Sequence, residues 1–388
     1  MSQSTQSNAI QSVRTQNFSR TGWFPIILVT LLLNSAWADS PRPIAVALLE
    51  DDTPVFRDYT EEQHLGFLLG LEYLTEGSME WQGRPVSAHP VPAGGWFRDE
   101  NYLPDAHELP DFSIWIAPVQ ARYAHRAMQY GQAYQRLTLV PASPANQLPV
   151  AQYDLAFRTF YRWQDVEAGL YEWASEQEDL IWVSAVDSSV RPDFFRVANI
   201  DVSPRSSGAS VIAEVDDLAR LMKNPALGST WPVLLDWLPM LSDDVGLASQ
   251  NMYFWLPDLA SLVPLREFSG LQGLTYYYYD LPNNDANTWL VRTMLERHDR
   301  LPSHYVVAGM TAAMALLTAV AEADTVDAEQ LAAHLPDMAW DSPRGVLSFT
   351  AAGETRQPLY RTELRLQRQL EWARPVELDG QGPYWTQP

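Results

Sequence analysis

The side chains in this sequence whose types and spacing could do chemistry point to binding rather than to bond making. Asp51 and Asp52 are adjacent carboxylates that could receive a ligand amine, and Asp187 is a third. As loop acids in a chain of net charge −22 they could equally be solvated. Arg122 could hold a carboxylate through the two parallel N–H bonds of its planar fork, or lie in solvent at a helix start. Trp237 and Trp255 could stack an apolar or aromatic ligand, although in a chain with 15 tryptophans ordinary packing is the plain alternative. Catalytic signatures are missing. There is no Gly-x-Ser-x-Gly elbow, no zinc helix of the His-Glu-x-x-His type and no calcium loop. His107-Glu108 runs into Leu109-Pro110, which breaks any helix that could align metal ligands. Cys is absent, which removes thiolate ligands, nucleophiles and disulfides together. Lys223 is the single lysine and follows no glycine-rich loop, so a P-loop is excluded. The expectation is a protein that is not an enzyme and uses no cofactor or metal.

The segments that must position these groups alternate between strand and helix. Pro43 to Glu50 reads as a strand buried on both faces, the kind found in parallel sheets, with Asp51-Asp52-Thr53-Pro54 as its loop. Thr60-Glu61-Glu62-Gln63 opens a helix with Leu65, Leu68, Leu69 and Leu71 to Leu74 on its apolar side, and Gly83-Arg84-Pro85-Val86 introduces the next strand. Strands follow at Phe112 to Ile116, Leu137 to Val140 and Tyr153 to Thr159, with a helix carrying Tyr123 to Tyr130 among them. Further on, Trp163 to Glu176 and Asp216 to Lys223 read as helices; Leu180 to Val186, Val233 to Trp237 and Asn251 to Leu256 read as strands. Leu274 to Tyr279 is a strand whose tyrosines alternate faces, two into a core and two outward. Asn287 caps the next helix, and Ser303 to Ala323 forms an alanine-rich helix spaced to pack on a sheet. In open α/β sheets ligands bind beyond the carboxyl ends of strands. That rule selects the loops at 50–56, 118–122 and 142–145, and in the second half those at 187–189, 236–237 and 254–255.

Several of these stretches carry a resemblance. The aromatic strand, the turn Pro282-Asn283-Asn284, the helix ending before Pro302, the alanine-rich helix, and Ser342-Pro343-Arg344-Gly345 leading into Val346-Leu347-Ser348-Phe349 resemble the C-terminal half of the leucine/isoleucine/valine-binding family. These are type I periplasmic solute-binding proteins of ATP-driven (ABC) importers. The opening strand, loop, helix and Gly83-Arg84-Pro85-Val86 are similar to the start of the same family, and Phe157-Arg158-Thr159 looks like its crossover into the second lobe. The resemblance implies an α/β fold of two doubly wound parallel-sheet lobes with a hinge, the first lobe from 40–157 and 282–340 and the second from 158–281 and 341–388. It also implies a monomer whose partners are a small organic solute (an amino acid, an amide or a carboxylate) and ABC permease subunits in the inner membrane. In the amino-acid-binding members a Ser-Ser turn and an Ala-Thr pair hold the ligand carboxylate. Here Ala121-Arg122 and Ser143-Pro144 stand in those places, and Trp255 stands where an acid would receive the ligand ammonium. An aromatic face replaces a buried carboxylate poorly, contributing about 0.5–2 kcal/mol toward a cation. A free α-amino acid is therefore a doubtful ligand, and a carboxylate ligand would lean on Arg122.

Length and charge frame this reading. A chain of 388 residues exceeds one ordinary domain, and 46% apolar residues can fill two cores. A net charge of −22 repels phosphate, so nucleic acid is not a partner. Arg14 and Arg20 precede an apolar run from Trp23 to Leu33 and the small-residue site Ala36-Trp37-Ala38. That run is far shorter than the ~20 residues of a spanning helix. Residues 1–38 are expected to be a cleaved signal peptide, with the mature periplasmic chain starting at Asp39 and, having no cysteine, carrying no lipid anchor. The leading expectation is a solute receptor of an importer. The alternatives are a ligand sensor uncoupled from transport, or an interaction protein that has lost its cleft.

Overall fold

The computed structural model describes residues 41–98, 112–143, 148–162, 165, 168–169, 231–234, 252–255, 272–280, 284–366, 373–377 and 384–385. The expected signal peptide, the helices at 163–176 (but for three residues) and 216–223, and the strand at 180–186 lie outside them.

Strand β1 (Ile44–Glu50) is buried on both faces, as its unbroken apolar run requires. It leads directly into helix α1 (Pro54–Leu74), which begins six residues before the expected Thr60 because Pro54 occupies the first helical position. There its fixed φ is pre-set and its missing N–H costs nothing. The helix ends at Thr75, and Gly77, at φ 77°, returns its N–H to Glu72 O at 2.9 Å. Strands β2 (Glu80–Trp81) and β3 (Arg84–Pro92) form a hairpin whose two turn residues, Gln82 and Gly83, both have positive φ. A short helix α2 (Gly94–Arg98), strand β4 (Ile114–Ile116), helix α3 (Ala121–Ala133), strand β5 (Leu137–Val140) and strand β6 (Ala156–Arg158) complete the first sheet. Its order is β2-β3-β1-β4-β5-β6, parallel except for the hairpin strand β2. The chain therefore reverses its winding direction between β1 and β4, which makes that gap the topological switch point.

A second sheet contains β7 (Trp231–Leu234), β8 (Met252–Trp255) and β9 (Gln272–Thr275), all parallel. The chain then supplies helices α4 (Asp285–His298), α5 (His304–Ala323) and α6 (Ala328–His334) to the first core. A small antiparallel sheet follows, of β10 (Ala339–Trp340), β11 (Leu347–Phe349) and β12 (Thr355–Arg356). The chain next returns to the second sheet with β13 (Pro358–Leu366), β14 (Ala373–Glu377) and β15 (Tyr384–Trp385), in the order β14-β13-β9-β8-β7 with β15 paired on β13.

Several expectations are corrected here. The strand β9 stops at Thr275, before the tyrosines, so they do not alternate across a pleat: Tyr276, Tyr277 and Tyr278 are all buried and only Tyr279 is half-exposed. The cap of α4 is Asn284, whose Oδ1 accepts from Asn287 N at 2.8 Å. Asn287 is instead a buried link, accepting from Tyr277 Oη at 2.6 Å and donating to Tyr279 O at 3.0 Å. Leu68, placed by its spacing on the apolar side of α1, is 42% exposed. Helix α5 is apolar enough to span a membrane by composition, but it is a core helix, capped by Ser303 through Val306 N. Its tightest neighbour is α1 rather than a sheet. A Cβ on Gly66 would fall 1.8 Å from Val306 O, and one on Gly309 1.9 Å from Gln63 O, so the two backbones touch.

This contact yields a sharp test. Gly309→Ala has to force backbone from backbone and is expected to cost about 3 kcal/mol or more in urea denaturation, whereas Gly95→Ala, with nothing within 4 Å, should stay within about 0.5 kcal/mol of the parent.

Candidate functional site

The carboxyl ends of β1, β4, β5 and β6 all lie at one end of the first sheet, and the loops leaving them form a candidate binding surface. Five of the expected site residues belong to it: Asp51, Asp52, Ala121, Arg122 and Ser143. Trp255 ends β8, in register with Leu234 and Leu274. Asp187 and Trp237 lie outside the described residues.

The two acids at the end of β1 are not solvated loop charges. Asp51 is buried, and its Oδ1 accepts from Thr53 N at 2.9 Å and from Thr53 Oγ1 at 2.5 Å, an Asx turn that shapes the entry into α1. Asp52 is half-buried with its carboxylate over the start of α2, where a Cβ on Gly94 would meet it at 2.2 Å. A larger residue at 94 would displace it. Beyond β4, two side chains of α1 fix the loop: Gln63 Nε2 donates to Ala117 O at 2.9 Å, and Thr60 Oγ1 accepts from Val119 N at 3.4 Å. Gln120, at the N-cap of α3, is buried; Ala121 is half-buried and Arg122 exposed at the first turn. Beyond β5, Ser143 is fully buried, and its Oγ has no hydrogen-bond partner among the described residues. Thr159, one residue past β6, has a hydroxyl in the same condition. Thr159 N donates to Val140 O at 3.2 Å, which keeps the ends of β5 and β6 side by side. Thr159 and Gln120 were missed as site candidates in the sequence. The available signal for Thr159 was a polar residue directly after a parallel strand, and for Gln120 a polar residue at the start of the helix that follows β4.

The chain passes between the first core and the second sheet close by, and a buried arginine marks the first of these crossings. Arg158, 1% exposed, donates from Nε and Nη2 to both oxygens of Glu354 at 2.9 and 2.7 Å, and also to Ser143 O and Leu148 O at 3.3 Å. Thr355 Oγ1 donates back to Arg158 O at 2.5 Å. Aromatic rings fill the space beside this tie: Phe160 lies 4.6 Å from Tyr276 and 6.0 Å from His304, and Tyr305 stacks on Tyr59 at 4.6 Å. Burial holds the His304 imidazole neutral, with its pKa lowered to about 3. His64, on α1, is lowered to about 4 by burial, against a smaller opposing effect from its hydrogen bond to the Leu49 backbone.

Comparisons with known proteins agree with this geometry. The sequence profile of a family described as periplasmic binding protein matches residues 242–368. No curated protein sequence matches the chain. Among solved structures, an ABC-type branched-chain amino acid transporter protein from Rhodopseudomonas palustris CGA009 is similar with a TM-score of 0.65 at 21% identity, over 86% of this chain and 95% of that one. A solute-binding protein of an ABC transporter from Rhodopseudomonas palustris BisB5, in complex with 3,4-dihydroxybenzoic acid, is similar with a TM-score of 0.68 at 13% identity, over 89% and 98%. A branched-chain amino acid transporter substrate-binding protein from Streptococcus pneumoniae, in complex with isoleucine, reaches 0.62 at 9% identity, over 87% and 100%. The chain has the type I periplasmic-binding-protein fold, and the resemblance noted in the sequence is borne out.

Two predictions follow from the buried charges. Glu354→Leu strands Arg158 and should cost about 3–5 kcal/mol in chemical denaturation, while the double replacement Arg158→Met with Glu354→Leu should recover most of that loss. The neutral histidines make stability depend on pH. Unfolded, each binds a proton near 6.5; folded, neither does until pH approaches 4 for His64 or 3 for His304. Their contribution is complete above the unfolded value and is lost as pH falls below it, by up to about 1.4 kcal/mol per pH unit for each. Urea midpoints measured between pH 7.5 and 4.5 should fall less steeply in His304→Phe than in the parent.

Proposed function

We propose that this chain is a periplasmic solute-binding protein of an ABC importer, closing two lobes over a small organic molecule and presenting the closed form to permease subunits in the inner membrane. The observation that carries this reading is a pair of buried hydroxyls without a partner among the described residues, Ser143 and Thr159, at the strand ends of a sheet with a switch point, beside the chain crossings. Such a surface supplies hydrogen-bonding groups at the place where an open α/β sheet binds ligands. The first lobe takes 40–157 together with a segment that opens at 282, and the second takes 158–281 together with the C-terminal tail. Leu347 and Phe349 share the core that holds α4 to α6 while Pro358 starts a strand of the second sheet, which supports moving the last crossing from 340–341 to 357–358 within this proposal. A signal peptide over residues 1–38 belongs to the same proposal.

The ligand is an amino acid, amide or carboxylate, received in the first lobe by groups drawn from Asp51, Asp52, Ala121, Arg122 and Ser143, and in the second by Asp187, Trp237 and Trp255. The relatives of this fold solved with 3,4-dihydroxybenzoic acid, benzoate and isoleucine support small carboxylates as the class to test first. Aromatic acids fit this chain better than α-amino acids, since Trp255 offers a ring where an ammonium would need a charge.

A thermal-shift screen of isoleucine, benzoate, 3,4-dihydroxybenzoate and small amides tests the reading. A ligand at 100-fold its Kd adds about 2.7 kcal/mol, enough to raise Tm by several degrees. For a carboxylate hit, Arg122→Ala should weaken binding by about 2–5 kcal/mol in titration calorimetry, and a change below about 0.5 kcal/mol moves the anion site elsewhere. No shift with any compound, and no heat of binding, overturns the receptor reading.

A further inference from the structure

Arg344 is 1% exposed, yet among the described residues no carboxylate lies within ion-pair distance of it. Its fork is satisfied by neutral oxygens: Nε donates to Tyr276 O at 2.9 Å, Nη1 to Gln357 Oε1 at 2.5 Å and Nη2 to Pro358 O at 2.6 Å. The guanidinium carbon also stands 3.5 Å from the centre of the Tyr276 ring. A desolvated cation without a counter-charge is costly, so it holds its acceptors tightly: each oxygen that moves away leaves a charged donor bare in a dry interior.

Those acceptors belong to two different crossings. Tyr276 follows β9 as the chain leaves the second sheet for the first core, and Gln357-Pro358 follow β12 as it returns into β13, where Tyr360 pairs with Thr275. Arg344 itself sits on a rigid turn of the first core. Ser342 Oγ donates to Gly345 O at 2.8 Å and accepts from Arg344 N at 3.1 Å, and Gly345 has φ 93°. Tyr360, from the second sheet, donates to Arg344 O at 3.1 Å. One side chain therefore joins a fixed turn to the two segments whose backbone dihedrals must change if the lobes rotate.

We infer that Arg344 is the positioning residue that sets the resting angle between the two lobes, and through it the balance of open and closed forms on which solute affinity depends. This rests on the solute-binding reading. The arrangement differs in kind from the Arg158–Glu354 tie, which is charge-balanced: among the described residues Arg344 is held by oriented carbonyls and a ring face alone, so its grip depends on angle. Lysine in its place keeps the charge but cannot span three acceptors in fixed directions.

The chain has no cysteine, so two introduced cysteines, Gln330→Cys on α6 and Arg365→Cys on β13, both at exposed positions, accept spin labels selectively. Distances between them are measured by pulsed electron resonance in the ligand-free protein. The expected result is a distribution displaced or about two-fold broader in Arg344→Met and intermediate in Arg344→Lys, with the surface variant Arg300→Met like the parent. Should Arg344→Met not fold, Gln357→Met and Tyr276→Leu loosen the same grip one contact at a time and are expected to broaden the distribution less. A parental distribution in every folded variant overturns the assignment, even if denaturation midpoints drop, because a merely structural role lowers stability without moving the lobes. No ligand enters this measurement, so its failure is distinct from a failed ligand screen.

Discussion

The constraint on which the rest of this structure depends is the burial of guanidinium groups where the chain crosses from one sheet to the other. A buried cation must be surrounded by acceptors, and acceptors gathered from distant parts of the chain become fixed to one another. Arg158 gathers Glu354, Ser143 and Leu148 around the end of β6. Its bidentate pair with Glu354 joins residues 196 positions apart. The same contacts hold the loop after β5 in place, so the tie that fixes the crossing also fixes one wall of the candidate site.

A second constraint sets the layer behind the sheet. Helices α1 and α5 approach until backbone meets backbone, which only glycine at 66 and 309 permits. Close approach brings Gln63 and Thr60 of α1 to the segment after β4, so the geometry of the site is transmitted from a helix contact through two hydrogen bonds. It also removes water from His64 and His304, which stay neutral because the desolvation of their charged forms outweighs the one opposing contact, the hydrogen bond of His64 to the Leu49 backbone.

The candidate surface combines structural acids with unpartnered hydroxyls. Asp51 and Asp52, the most conspicuous polar residues at the end of β1, shape the start of α1 and lie over the start of α2. Ser143 and Thr159, which carry less obvious chemistry, are among the buried groups whose hydroxyls have no hydrogen-bond partner among the described residues. An acid is noticed in a sequence because it is charged, but whether it is available depends on which backbone amides lie near it. Local spacing does not record that.

The sequence by itself determined the long parallel strands of the first sheet and the helices between them, though not the hairpin strand β2 or the short helix α2. An apolar run such as Ile44 to Leu49 has few homes other than the middle of a parallel sheet, and the alternation of strands with helices entails a doubly wound topology and its binding end. The helix from Ser303 was equally legible, since a cap and an apolar helical pattern are local signals. Tertiary structure alone decided that the tyrosines after Thr275 are buried together, that Asn284 caps α4 while Asn287 links the tyrosines to it, and that Gly66 and Gly309 are contact points. It also decided the partners of Arg158 and Arg344. The reason is range: periodicity and capping act within a few residues, whereas the satisfaction of a buried charge depends on oxygens that only the completed fold brings within three ångströms.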